Sequence, residues 1–107
     1  MSYVVLNVMD VPAELRAELE SRFAGRAAQV GKVPGFEAFE LLRPTDDSGR
    51  YIVYTRWASR EAYEAWLASP AFAAGHRVHA ERGPVASAVE PWSFEVIQAE
   101  YRGGGVL

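Results

Sequence analysis

An α+β fold with the element order β-α-β-β-α-β is predicted by three features of this 107-residue chain. Two stretches carry apolar residues at helical spacing. Short β-branched and aromatic runs open the chain, sit as a pair between those stretches, and close it. Turns with Pro and Gly separate elements at Val33-Pro34-Gly35, Pro44 to Gly49 and Gly83-Pro84. This order, without repeat or linker, is the ferredoxin-like split βαβ pattern: one antiparallel sheet with both helices on one face.

The elements follow in turn. Tyr3 to Met9 reads as a strand, rich in Val4, Val5, Leu6 and Val8. Asp10-Val11-Pro12 is a helix start, with Asp10 or Val11 at the cap and Pro12 in the first turn. Leu15, Leu19, Phe23, Ala27 and Val30 then form an apolar stripe, and Arg16, Glu18, Glu20 and Arg26 occupy other positions. Val33-Pro34-Gly35 makes a turn. Phe36 to Arg43 and Tyr51 to Trp57 read as a hairpin around the polar turn Pro44 to Gly49. Ser59 is a good N-cap, with Glu61 facing the helix dipole. Ala62, Tyr63, Trp66 and Leu67 form the second stripe. Pro70 interrupts it, and Ala71 to about Ala80 continues as helix until Gly83-Pro84. Val89 to Arg102 is the last strand, with a bend at Pro91. Residues 1–102 make one domain, and 103–107 a flexible tail.

Composition narrows the function. Half the residues are apolar and 23% are charged, which is a globular balance. Net charge is −3 without a basic run, so nucleic acid is not the expected partner. No apolar stretch approaches a membrane span. The start, Met1-Ser2-Tyr3, lacks the basic and apolar regions of a signal peptide. Cysteine is absent, which removes disulfides, Cys-ligated zinc and iron–sulfur clusters and suits a cytoplasmic setting.

Both faces of the sheet carry apolar bulk. Val5, Asn7 and Met9 oppose Val4, Leu6 and Val8; Tyr51, Val53, Thr55 and Trp57 oppose Ile52, Tyr54 and Arg56. Helices cover one face only. A second copy is the expected cover of the other, giving a closed homodimer and a dimeric α/β barrel.

Few residues offer chemistry. No nucleophile elbow, phosphate loop or zinc motif is present. Asp46-Asp47 lies in a turn and reads as solvated. His76 and His79, the only histidines, share a helix face; imidazole serves as a base, as an iron ligand or as a plain surface group. Asn7 sits in a strand, where Asn is depleted. It either bonds neighbouring backbone or aims its amide into a cavity. Trp66 lies on the second stripe, as core or as pocket wall, and its N–H needs a partner if buried.

Several segments together resemble the antibiotic-biosynthesis monooxygenase superfamily. They are Asn7, Glu18-Leu19-Glu20-Ser21-Arg22-Phe23-Ala24, Pro34-Gly35-Phe36, Leu41-Leu42-Arg43-Pro44, Tyr51 to Trp57 and Glu61-Ala62-Tyr63-Glu64-Ala65-Trp66. Pro-Gly-Phe and Glu-Ala-x-x-x-Trp mark the fold. The Asn7, Trp66 and His76 triple resembles the IsdG-type haem-degrading branch, the mycobacterial degraders in particular. That resemblance implies haem as both substrate and cofactor, dioxygen, an external electron donor and a reductase as partner. It implies His76 as iron ligand, with His79 as its competitor. It gives Asn7 the hydrogen bond on the dioxygen side and Trp66 the wall that ruffles the porphyrin. Phe23 would line the pocket, and Arg22 and Arg26 would approach the propionates. Two other activities fit the same fold: cofactor-independent oxidation of polycyclic phenols, and haem or small-molecule binding by a dimer without turnover.

Overall fold

The structure is a computed structural model that describes residues 1–30, 32–74, 87–88 and 91–103, with side chains for 1–24, 32–74 and 91–103. Strand β1 (Tyr3–Asp10) is its axis. It pairs antiparallel along its whole length with β3 (Arg50–Trp57), from Tyr3 opposite Trp57 to Asp10 opposite Arg50. Strand β2 (Phe36–Leu42) adds to the far side of β3. The other edge of β1 takes two short strands: β4 (Ser87–Ala88) against Met9 and Asp10, and β5 (Trp92–Glu95) against Tyr3 to Leu6.

The ferredoxin-like α+β order is present, but the dimeric α/β barrel expected from the sequence is not. The sheet is open, with β2 at one edge and β4 and β5 at the other. So few strands, each rotated modestly from the last, curl a sheet without bringing its edges together. The last strand also differs from its expected span of Val89 to Arg102. Pairing with β1 runs only over Trp92–Glu95, and Pro91 just before it has no N–H to give a ladder. Beyond it, the Val96 N–H still reaches the Ser2 carbonyl at 2.9 Å.

The helix starts show which local signals prevailed. Asp10 stays in β1, and Pro12 itself caps a 3-10 turn (Ala13–Leu15) with no side-chain bond. Its carbonyl accepts from the Leu15 N–H at 2.9 Å, and α1 (Arg16–Val30) follows. Helix α2 (Arg60–Leu67) begins as expected: Ser59 Oγ accepts from the Ala62 N–H at 3.1 Å. Ser69 repeats the device, its Oγ accepting from the Phe72 N–H at 3.2 Å. Pro70 therefore opens a second helical stretch over 70–74, where a missing N–H costs nothing.

The Val33-Pro34-Gly35-Phe36 turn is type II. Proline stands second, Gly35 third with φ +82°, and the Phe36 N–H bonds the Val33 carbonyl at 3.1 Å. Directly after it, β2 carries a bulge. Phe36 pairs with Trp57 and Ala38 with Arg56, which leaves Glu37 extra. The bulge lets Phe36 and Phe39, three apart, face the helices together. It also turns the Glu37 carboxylate to the outer side, where it accepts from Ser2 Oγ (2.7 Å) and Arg56 Nε (3.2 Å).

Two packed patches result on the helix side. Leu15, Leu19 and Phe23 of the first helical region close over Met9, Val11, Tyr51, Val53, Phe39 and Leu41. Trp57, 1% exposed, anchors the other patch, with Phe36 edge-on at 5.6 Å, Tyr63 at 5.7 Å and Trp66 stacked at 6.3 Å. The first prediction concerns the turn between them. A Cβ at Gly35 would lie 2.5 Å from the Ala62 Cβ, on a backbone that side chains disfavour. Gly35→Ala should destabilise the fold by roughly 2–5 kcal/mol in urea denaturation, the sum of backbone strain and overpacking against α2.

Candidate active site

Between the two patches the sheet is incompletely covered, at Asn7. Its neighbours on the same face of β1, Val5 and Met9, are 0% and 8% exposed. Asn7 lies between them on a strand flanked on both sides, yet it remains partly exposed. Asn7 is therefore a partly exposed polar position between two buried ones on the helix-side face of β1. Asn7 also falls between the two short ladders on that edge, opposite neither β4 nor β5.

The other residues stand around that position. Asn7 pairs with Val53; Thr55 and Trp57 follow on the same face of β3. Trp66 stacks on Trp57 at 27° and meets Phe72 edge-on at 5.6 Å. Strand rise separates the Asn7 and Trp57 levels by about 13 Å. Phe23 is half-buried and stacks on Phe39, which pairs with Thr55, so it stands above the same stretch from the α1 side. Thr55 itself is occupied, accepting from the Trp57 indole N–H at 3.1 Å and approaching the Val5 carbonyl at 3.5 Å. This face of the sheet thus carries one amide side chain, Asn7, among apolar and aromatic residues.

Arg22 is nearly buried, with its Nε 2.8 Å from the Glu18 carboxylate one turn earlier. Its guanidinium is engaged within α1, and any ligand carboxylate would share it with Glu18. The Arg26 side chain and His76 and His79 lie outside the described residues. Among the described residues no group of acidic or histidine side chains could hold a metal ion.

A polar lock missed by the sequence reading holds α1 at its distance from the sheet. Tyr51, only 2% exposed, donates to Glu20 Oε2 at 2.6 Å. Arg43 donates to the same oxygen at 3.0 Å and also to Oε1. The hydrogen bonds from Arg43 and then Tyr51 hold the Glu20 carboxyl down to about 2, while the Tyr51 phenol is pushed up, first by Glu20 and then by burial. Glu20 was read only as a polar position; the one signal was a Tyr on a core strand face, whose hydroxyl needs a partner.

The antibiotic biosynthesis monooxygenase family matches residues 2–78, and this chain belongs to that family. A heme oxygenase (mycobilin-producing) of Mycobacterium tuberculosis is 46% identical over 91% of this chain and 90% of its own length. The structure of the M. tuberculosis heme-degrader MhuD with two hemes bound in its active site superposes with a TM-score of 0.76 at 46% identity, covering 89% of this chain and 95% of that one. SnoaB, a cofactor-independent oxygenase from Streptomyces nogalater, superposes with a TM-score of 0.74 at 28% identity, over 92% of this chain and 95% of its own.

The lock sets a pH dependence. Because folding depresses the Glu20 pKa, its stabilising effect is complete above the ordinary value of 4.5 and is lost as pH falls toward about 2. Denaturation midpoints measured across that window should fall less steeply for Glu20→Gln than for the parent chain.

Proposed function

We propose that this chain is a haem-degrading monooxygenase, which binds haem over Asn7 and opens the porphyrin ring with dioxygen and an external reductant, releasing iron. The observation that carries the reading is Asn7, a partly exposed polar residue between buried Val5 and Met9 on the sheet face that Trp66 and Phe23 pack toward. Their chemistry fits haem: aromatic faces suit a flat macrocycle, and a lone amide suits hydrogen bonding above it. The likeness to a heme oxygenase and to a heme-degrader supports the same substrate.

When bound, haem supplies the iron at which dioxygen is activated. In this reading the chain's own residues would do five things. Trp66, braced from behind by Trp57, would press on the macrocycle. Phe23 would limit it from the α1 side. The Asn7 side-chain N–H would donate a hydrogen bond to bound dioxygen. His76 would hold the iron, and Arg22 and Arg26 would neutralise the propionates. Apolar surroundings exclude bulk water and strengthen each of these contacts.

A homodimer belongs to the same proposal. The outer face of the sheet carries Val4, Leu6, Ile52 and Tyr54, with Leu42, Trp92 and Phe94 41%, 53% and 48% exposed. Beside them Arg56 is 7% exposed, and its Nη2 has no hydrogen-bond partner among the described residues. A second copy covering this face would bury the apolar groups. The likeness to a cofactor-independent oxygenase supports a second reading, in which the same face takes a polycyclic phenol without iron.

Titration with hemin separates the readings. Haem degradation predicts a stoichiometric Soret shift, followed by bleaching when ascorbate or a reductase is added under air. Absence of the shift favours the phenol oxidant. Asn7→Ala should keep the shift and lose the bleaching. His76→Ala should lose the shift where His79→Ala keeps it; the reverse would reassign the ligand. In sedimentation, Trp92→Glu should move the chain from dimer toward monomer.

A further inference from the structure

We propose that Trp66, Trp57, Tyr63 and Tyr3 form a one-electron path that carries oxidising equivalents away from the ligand site to the protein surface. The rings follow in unbroken contact. Trp66 lies 6.3 Å from Trp57, Trp57 lies 5.7 Å from Tyr63, and Tyr63 lies 5.9 Å from Tyr3. Every member is Trp or Tyr, the side chains most readily oxidised by one electron at neutral pH. The rings that flank the path are Phe36 and Phe72, which resist such oxidation. Among the described residues the run of oxidisable rings thus meets phenylalanines at its sides.

The two ends suit entry and exit. Trp66 is partly exposed on the wall of the proposed haem site. Tyr3 is partly exposed at the start of β1, and its hydroxyl bears on the exposed Arg60 guanidinium after the larger effect of Glu64. Between them Trp57 is sealed, with its N–H held by Thr55. Tyr63 is held in its protonated form by burial first and by the Tyr3 phenol second. Tyr3 is the end of the path that water reaches.

The step balances as follows. An oxidant formed at bound haem by peroxide accepts one electron from Trp66. Electrons move up from Trp57, Tyr63 and Tyr3 in turn. Tyr3 ends as the phenoxyl radical, its proton goes to water, and a soluble thiol or ascorbate restores the phenol by giving a hydrogen atom. An enzyme that combines dioxygen with reductant gains by this route, because a stranded oxidant would otherwise attack the site itself.

The inference rests on the haem reading for its oxidant, but the path can be tested without haem. In a Trp92→Phe background, which removes the exposed indole of β5, apoprotein is oxidised by pulse-radiolytic azidyl radical. Tryptophanyl absorption should decay by first-order kinetics as tyrosyl absorption grows. Tyr63→Phe, which cuts the path between Trp57 and Tyr3, should abolish that growth, and Tyr3→Phe should leave the radical on Tyr63. Unchanged growth in Tyr63→Phe would overturn the path, as it would place the radical on a tyrosine outside it. In haem-loaded protein treated with hydrogen peroxide alone, spin trapping with peptide mapping should then place the adduct on Tyr3. Success in the first experiment without haem binding in the second would leave the path standing and refute the haem reading. An adduct confined to Trp66 in the loaded protein would refute the path as an exit.

Discussion

The indole of Trp57 gathers three other rings around it. It closes the end of β3, receives Phe36 from the bulged start of β2, and meets Tyr63 and Trp66 from α2. Its one polar atom is satisfied at once by Thr55, two residues back on the same strand. Burying a group of this size contributes about 4–6 kcal/mol at the usual transfer value. That approaches the whole stability of a small domain, roughly 5–15 kcal/mol. Helix α2, only two turns long, has no buried residue of its own and depends on this contact for its place.

From that attachment the geometry of the site follows. Helix α1 is held elsewhere, by its apolar stripe and by the Tyr51–Glu20–Arg43 lock. The two helical regions are fastened to opposite ends of the sheet, and the stretch of β1 between them is left open at Asn7. Stability and function are therefore divided between different residues on one face. Trp57, Leu19 and Tyr51 are sealed and set distances; Trp66, Phe23 and Asn7 stay partly exposed. The outer face is the province of strand pairing and of the apolar residues that suit a second copy.

Much of this was legible in the sequence because it is local. Ser59 as cap, the Pro34-Gly35 turn and the period-two alternation of β1 and β3 each depend on neighbours a few residues away. Asn7 stood out as a polar residue in a strand, and its partial exposure is consistent with that. What could not be read was non-local. The bulge at Glu37 appears only when β2 is registered against β3, and it alone explains why Phe36 and Phe39 share a face. The Glu20 lock joins three elements. Asp10 lost the cap to the strand because Arg50 pairs opposite it, their side chains 3.5 Å apart. The barrel failed for the same reason: closure is a property of strand number and twist, and no single strand reveals it.

The central claim is that the ligand lies on the helix side of the sheet, against α2. Indole N–H signals of the three tryptophans, recorded by NMR during hemin addition, test it directly. Paramagnetic broadening should be strongest at Trp66, weaker at Trp57 behind it, and weakest at Trp92 on the outer face. Broadening that strikes Trp92 first and spares Trp66 would contradict the account.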